Sequence, residues 1–277
     1  MQMSGELTIE EKAGNAPLRL YCGWFCPFAQ RAWIALEEKG AAYEYVAIEP
    51  YEEDPEKPGG YSKNPLPLEE KRRRYPDFVA ASPRGLLPAI EYHTSTGQIH
   101  RVFESMVCVE YLDELLPGPS LMPPIAAPEQ RALVRAWCAW ANEKIIPHFY
   151  RLLMRQSAEE REAEKRQLLD GLRCFAEAMS PVSSTGGAYF LGDDFSMADI
   201  AVCPWWTRFH SIGATYRGLE IPHGGAFDRL HLWGAACEGR PSVARTIVDQ
   251  KRLVGNYSNY ADGSATSTVA QTLAGKA

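Results

Sequence analysis

The chain has 277 residues, of which 45% are hydrophobic and 23% are charged, and its formal net charge is -6 at pH 7. This composition is that of an ordinary globular protein, the length favours two domains, and the acidic balance argues against nucleic acid or an anionic membrane as a partner. The seven cysteines are odd in number and scattered, which predicts reduced thiols and a cytoplasmic location.

The first segment, Met1 to Asn15, is polar and charged, so we expect no secretion signal there. No run approaches the ~20 apolar residues that span a bilayer, so we expect no stable membrane association. The alternating segment Leu18 to Cys22 predicts the first strand, and Phe28 to Gly40 predicts a helix that Gly40 ends.

Between these two elements stands the sequence Cys26-Pro27-Phe28-Ala29. Proline suits the first helical position, which places Cys26 at the N-cap among free backbone donors. A helix N-terminus lowers the pKa of a cysteine below its free value of ~8.5, so we expect a thiolate nucleophile. Ala29 stands where a two-cysteine redox motif has its second thiol, so we expect the resolving partner of Cys26 to be a small-molecule thiol. Cys22 has no second Cys/His pair nearby, which favours a buried strand-end thiol over a zinc ligand.

The next elements complete a mixed sheet. Tyr43 to Ile48 predicts a second strand parallel to the first, as in a βαβ unit. A long irregular stretch, 49–82, follows in this prediction. Strands at Leu87 to Tyr92 and Ile99 to Phe103 and a helix at Ser105 to Leu116 come next. The order predicts a thioredoxin-like domain over residues 17–118.

The rest of the chain is predicted to be helical. A proline-rich linker leads to an all-helical domain over residues 126–260, and residues 261–277 have the composition of a disordered tail. The fold class is therefore an α/β domain followed by an all-α domain. Specific signals within the second domain are a helix opened by Pro128 and kinked at Pro147, capping boxes at Ser157 to Glu160 and Ser196 to Asp199, and helices at Leu230 to Glu238 and Ser242 to Lys251.

Four motifs occur in a fixed order along the chain, and together they carry a resemblance. They are Cys26-Pro27-Phe28-Ala29-Gln30-Arg31, Gly85-Leu86-Leu87-Pro88, Glu104-Ser105 and Ser196-Met197-Ala198-Asp199. In this order and these contexts they resemble the cytosolic glutathione transferases of the omega class. The resemblance covers about Leu18 to Tyr260. It implies the glutathione transferase fold and a glutathione-dependent thiol transferase or reductase with catalytic Cys26, glutathione as co-substrate and no metal.

The resemblance also implies binding residues. For glutathione these are Phe28, Lys57, Leu87, Pro88, Glu104 and Ser105; for the acceptor substrate, a small electrophile or disulfide, they are Phe25, Trp205, Arg208 and Tyr260. Leu253 stands where the family often has tryptophan, which leaves the shape of the acceptor pocket open.

Physical arguments support the glutathione residues. A cis Leu87–Pro88 bond would present the Leu87 backbone to the cysteinyl part of glutathione. Ser105 at a helix start can meet the γ-glutamyl carboxylate, and Glu104 the ammonium. A plain helix cap at Ser105 and an edge proline at Pro88 remain alternatives. Lys57, followed by Pro58, would meet the glycine carboxylate, although a basic residue of the run Lys71-Arg72-Arg73-Arg74 is another candidate. The alternative for this run is a solvated loop or helix balanced by Glu69 and Glu70.

Other functions compete with this prediction. A glutathionyl-hydroquinone reductase also has a Cys-Pro motif, but usually has tryptophan where Phe28 stands. A protein like the chloride intracellular channels, or a ligand carrier, would not be an enzyme; the charges on the first helix fit lipid poorly. The family further implies a homodimer.

Overall fold

In the computed structural model, residues 17–57 and 60–274 are described; the polar start and Pro58 lie outside them. The strands are β1 (Leu18–Cys22), β2 (Glu44–Ala47), β3 (Tyr51–Glu53), β4 (Tyr61–Pro65), β5 (Ala89–His93) and β6 (Ile99–Phe103). The helices are α1 (Pro27–Lys39), α2 (Leu68–Arg74), α3 (Pro76–Ala81), α4 (Ser105–Leu115), α5 (Pro128–Trp140), α6 (Ile146–Met154), α7 (Ala158–Glu177), α8 (Met197–Arg208), α9 (Ala214–Arg217), α10 (Ala226–Gly239), α11 (Pro241–Ala244), α12 (Gln250–Asn256), α13 (Ser258–Ala261) and α14 (Thr268–Leu273).

The chain divides into two compact units, and the division differs from the predicted one. Unit 1 comprises 17–50 and 67–119 of the described residues, and unit 2 comprises 51–66 without the undescribed pair, together with 120–274. The expected thioredoxin-like domain, 17–118, is therefore interrupted, because residues 51–66 belong to unit 2. Unit 2 also begins before the expected residue 126 and extends beyond residue 260.

Unit 1 contains a four-stranded mixed sheet in the order β2-β1-β5-β6. β1 pairs parallel with β2 and antiparallel with β5, which pairs antiparallel with β6. This sheet confirms the predicted thioredoxin-like fold. Helix α1 begins at Pro27 and ends at Gly40, whose φ of 60° is the left-handed conformation that glycine adopts at low cost.

The connection between β2 and β5, predicted to be irregular, is structured throughout most of its length. Its first part is the antiparallel hairpin β3–β4, and its second part is the helix pair α2–α3. Phe78 and Val79 of α3 are buried in the core of unit 1 with Tyr21 and Ala89 of the sheet. The prediction was wrong because the segment is rich in proline and charge, although its few apolar residues form part of a core.

Unit 2 is mainly helical, as predicted. The predicted capping box at Ser196 to Asp199 is present, and in it the Asp199 carboxylate accepts from the backbone N–H of Ser196. At the other predicted box the helix is capped by Ser157, whose Oγ accepts from Glu160 N–H and donates to Glu160 Oε2. The α5–α6 helical path is interrupted by a π-helical turn, Ala141–Ile145, directly before the predicted kink at Pro147. A second π-helical turn is Phe209–Gly213, and the predicted helix at 242–251 is two short helices, α11 and α12.

The expectation of a disordered tail over 261–277 was wrong for its described part, 261–274. Helix α14 lies within it, its N-terminus is capped by Ser267, and Ala270 is buried. The segment has the composition of a disordered tail, but the burial of Ala270 and the cap that Ser267 supplies stabilise the helix.

Candidate active site

Three segments that the sequence analysis singled out come together at one edge of the unit 1 sheet. The strand register places Tyr21 opposite Ala89, and Ala89 opposite Phe103. Directly beyond this row of the sheet lie the start of α1 with Cys26, the loop with Leu87 and Pro88, and the start of α4 with Glu104 and Ser105.

Cys26 occupies the predicted position at the N-terminus of α1. Its backbone is extended, its N–H donates to Gly23 O at 2.8 Å, and its carbonyl accepts the first helical bond from Gln30. Its side chain is partly exposed, whereas Cys22 is buried, and burial raises the pKa of the Cys22 thiol. Cys26 is therefore the accessible thiol at the end of β1, and the prediction that Cys22 is a buried structural cysteine is confirmed.

Behind Cys26, a buried arginine connects α1 to α4. Arg31 is 1% exposed, donates from Nη1 to Ser105 Oγ at 3.0 Å, and has its guanidinium carbon 5.5 Å from the centre of the Phe28 ring. Ser105 is the first residue of α4, and the N-cap position belongs to Glu104. The alternative in which Ser105 is a plain helix cap is therefore wrong, and the glutathione contact predicted for Ser105 stays a prediction. Sequence reasoning did not give Arg31 a role in the site. The sequence signal that could have identified Arg31 is an arginine one helical turn after Phe28, on the buried side of α1.

Glu104 has an unusual backbone conformation. Its φ of 71° is the only positive φ at a non-glycine residue in the described parts of the chain. Such a conformation costs of order 1–3 kcal/mol and is more frequent at functional sites than elsewhere. The Glu104 carboxylate pairs with Arg84, another residue that sequence reasoning did not single out.

The loop before β5 is held by internal hydrogen bonds. The Leu87–Pro88 bond is cis, as expected from the sequence. Ser82 Oγ donates to Leu86 O at 2.7 Å and accepts from Leu86 N–H. The Leu87 side chain packs on the core of unit 1 and leaves so little room at Gly23 that an added Cβ there would lie 2.9 Å from Leu87 Cδ1. Leu87 is thus adjacent to the turn that leads to Cys26.

Lys57 belongs to unit 2, whereas the other residues predicted to bind glutathione belong to unit 1. Its Nζ is 3.4 Å from Asp262 Oδ2, so its ammonium already faces a carboxylate. Its binding to the glycine carboxylate of glutathione stays a prediction.

The residues predicted to line the acceptor pocket have buried side chains. Phe25 belongs to unit 1 and packs edge-on against Trp24. Trp205, Arg208 and Tyr260 belong to unit 2, where Arg208 donates to Pro204 O and the Tyr260 hydroxyl lies 2.7 Å from Ser267 Oγ. Each of these side chains has a packing role, and their contact with an acceptor stays a prediction.

Within the described residues, neither a metal-binding cluster nor a membrane-spanning helix is present. Residues 17–57 and 60–274 contain no group of three or more histidine, cysteine, aspartate or glutamate side chains arranged to hold a metal ion. None of the helices in these ranges is long and apolar enough to cross a bilayer.

Comparison with known proteins places this arrangement in context. Residues 25–115 match the family model of the glutathione S-transferase N-terminal domain, and residues 158–235 match that of the C-terminal domain. The crystal structure of glutathione transferase Omega 3C from Trametes versicolor is similar at 32% identity with a TM-score of 0.72, covering 94% of this chain and 96% of that one. Glutathione S-transferase omega-1 of Sus scrofa is 27% identical over 259 residues, 91% of this chain and 92% of the relative. Rice GST1, solved in complex with glutathione, shares the fold with a TM-score of 0.64 at 24% identity, covering 87% of this chain and 96% of that one.

Proposed function

Since the chain belongs to the glutathione transferase family and resembles its omega class, we propose that it is a glutathione-dependent thiol transferase with Cys26 as its nucleophile. The observation that carries this proposal is the position of Cys26. A partly exposed thiol lies at a helix N-terminus, at the same sheet edge as Leu87–Pro88 and Glu104–Ser105. The partial positive charge at a helix N-terminus favours the thiolate form of a cysteine placed there.

The proposed reaction has two thiol–disulfide exchanges. The Cys26 thiolate attacks the glutathione sulfur of a mixed disulfide, forms a disulfide with glutathione, and releases the acceptor as a thiolate that takes up a proton. A second glutathione, as thiolate, attacks the same sulfur, releases oxidised glutathione and restores the Cys26 thiolate. The net reaction converts one mixed disulfide and one free glutathione into the acceptor thiol and oxidised glutathione. The proposal extends to S-conjugates and dehydroascorbate as acceptors.

Unit 1 supplies residues suited to holding glutathione. The Leu87 backbone would pair with the cysteinyl part of the tripeptide, and the Glu104 carboxylate would take its ammonium. The Ser105 hydroxyl would meet the γ-glutamyl carboxylate. Arg31, by donating to Ser105 Oγ, fixes the side chain that makes this contact. Phe28 next to Cys26 completes the set.

A homodimer and a cytoplasmic location belong to the same proposal. Phe103 and Val107, at the end of β6 and on α4, are 40% and 55% exposed, and a symmetric interface would bury such apolar surface. Light scattering at micromolar concentration tests the dimer. A mass near 30.9 kDa would contradict it without affecting the chemistry of Cys26.

The test of the reaction compares the wild-type protein with Cys26→Ser. With hydroxyethyl disulfide and glutathione, we expect turnover with ping-pong kinetics for the wild type and none above background for the variant, because a hydroxyl cannot form the mixed disulfide. Glutathione binding to the variant, measured by calorimetry, should persist. Binding without wild-type turnover would favour a ligand carrier, and turnover that survives in Cys26→Ser would contradict the proposed intermediate.

A further inference from the structure

Helix α2 places a buried lysine on the loop that precedes Leu87 and Pro88. Lys71 is 5% exposed, and its Nζ donates to the backbone carbonyl of Gly85 at 3.1 Å. A lysine is rarely this buried without an anionic partner, because removing an ammonium from water is costly. The contact with Gly85 therefore needs an explanation beyond the packing of a side chain.

The packing of α2 on Gly85 is close. Gly85 has a φ of 59°, and a Cβ added to it would lie 3.0 Å from Lys71 Cδ and 3.1 Å from Leu68 Cδ1. The Gly85 N–H donates to Ser82 O at 2.7 Å, and Leu86 is held by Ser82 Oγ. The turn is thus fixed on one side by Ser82 and on the other by Lys71, immediately before the Leu87 backbone.

The charges around Lys71 explain why it relies on a carbonyl. The acidic residues of α2, Glu69 and Glu70, pair with its arginines Arg72, Arg73 and Arg74 at the surface. Burial lowers the pKa of Lys71, and among residues 17–57 and 60–274 no carboxylate opposes this shift. An apolar side chain would pack at such a position without this cost. The ammonium is useful there because it is a strong donor to the loop carbonyl.

We propose that Lys71 is a positioning residue of the glutathione site: it holds Gly85 so that the Leu87 backbone is presented to the tripeptide. This inference rests on the proposed function, because it takes Leu87 as the residue that pairs with glutathione. In this role α2, which is not part of the sheet, supports the loop with Gly85 and Leu87 that would bind glutathione.

The test measures glutathione binding and catalysis separately. In the Cys26→Ser background, where no disulfide forms, Lys71→Met keeps the aliphatic stem and removes the donor. We expect glutathione affinity by calorimetry to fall roughly tenfold, the order expected for loss of a charge-assisted hydrogen bond. In the protein with Cys26 intact, Lys71→Met should raise the KM for glutathione by a similar factor and leave kcat within about twofold.

The matched control is Lys251→Met, the same change at an exposed position of α12. We expect it to leave glutathione affinity and KM within about twofold of the parent. The thermal stability of Lys71→Met should change little, because the loss of the donor to Gly85 O opposes the gain from no longer burying an ammonium. A structural role alone would lower the melting temperature and leave the affinity of the folded protein unchanged.

Each result of these measurements supports or overturns the positioning role of Lys71. Affinity for glutathione within about twofold of the parent in Cys26→Ser/Lys71→Met overturns it. If Lys71→Met does not fold, Lys71→Gln, whose amide is too short to reach Gly85 O, is measured by the same criterion. If Lys71→Met loses affinity for glutathione but the wild type has no turnover, the proposed reaction is refuted and the positioning role of Lys71 is kept. If the wild type turns over normally and Lys71→Met keeps its affinity, only the positioning role is refuted.

Discussion

The two halves of the β2–β5 connection each bury a lysine, but they stabilise different parts of the molecule. In the hairpin β3–β4, Lys63 Nζ donates to Asn256 Oδ1 and lies 4.5 Å from the centre of the Tyr51 ring. In α2, Lys71 donates to a carbonyl only 14 positions further along the chain. The hairpin therefore packs with the C-terminal segment of unit 2. Helices α2 and α3 instead pack on the sheet and on the Gly85 loop of unit 1. One continuous connection thus serves both units.

Further contacts show how closely the hairpin holds the C-terminal segment. Thr266 N–H donates to Lys63 O at 3.2 Å, and Thr266 Oγ1 donates to Asn64 Oδ1 at 2.6 Å. The Lys57–Asp262 pair adds a contact at the surface. These bonds explain why the segment predicted to be a disordered tail is ordered. The comparison predicts that changes in the hairpin affect the C-terminal segment and leave glutathione binding unchanged, whereas changes at Lys71 do the reverse.

The largest effect is expected for Lys63→Met. Its loss leaves Asn256 Oδ1 without its charged donor and removes a cation from the Tyr51 ring, so we expect the free energy of unfolding to fall by about 2–4 kcal/mol. Chemical denaturation measures this value, and amide exchange should accelerate over residues 257–274. Glutathione affinity in the Cys26→Ser background should not change. A loss of affinity equal to that of Lys71→Met would show that the hairpin, too, supports glutathione binding.

A smaller effect is expected for Thr266→Val. Valine keeps the shape and the backbone bond to Lys63 but removes the hydroxyl that donates to Asn64. We expect a loss of about 1 kcal/mol, typical of one hydrogen bond. Asn64→Ala should lose a similar amount, and the double variant little more than either, because both remove the same contact. Additive losses would show that the two side chains act separately.

The pH dependence of stability distinguishes the lysine of α2. Burial lowers the pKa of Lys71 in the folded state, so the unfolded chain binds more protons between that pKa and its ordinary value of ~10.4. The wild type should therefore gain stability relative to Lys71→Met as the pH rises through this window. Urea unfolding of both proteins from pH 7 to 10.5 measures the difference. A gap that stays constant with pH would contradict the sign.

The smallest effect is expected for Lys57→Met, the surface counterpart of Lys63 in the same hairpin. Its pair with Asp262 is solvent-exposed, so its loss should cost less than ~1 kcal/mol and shrink further in salt. The same variant tests the role predicted for Lys57 from the sequence. A rise in the KM for glutathione would support contact with the glycine carboxylate, and an unchanged KM would leave Lys57 as a surface residue.

The sheet and the start of the site could be predicted from the sequence because their signals are local. Alternation marks β1, Pro27 and Gly40 mark the ends of α1, and Ser196 with Asp199 marks the start of α8. The position of Cys26 follows from the two elements that flank it. These signals require no knowledge of which residues meet across the fold.

The hairpin and its partners could not be predicted in this way. Ser62 and Lys63 are polar, and they are buried here because β4 meets Asn256 and Thr266, about 200 positions away. Arg31 and Arg84 were missed for the same reason, since their acceptors, Ser105 and Glu104, lie at the start of α4 and are distant in sequence. A prediction that follows the chain divides it into domains at a single linker. It therefore assigns residues 51–66 to the first domain, although they belong to unit 2.

The placement of residues 51–66 has a practical consequence for building hybrids of this protein with a relative. An exchange with one crossover at Pro119 would join the hairpin of one parent to the C-terminal segment of the other. Lys63 and Asn256 would then come from different parents, and a buried ammonium would meet whatever residue the other parent has there. A workable exchange has three crossovers, near Pro50, Pro67 and Pro119, so that the hairpin is inherited together with the helical unit.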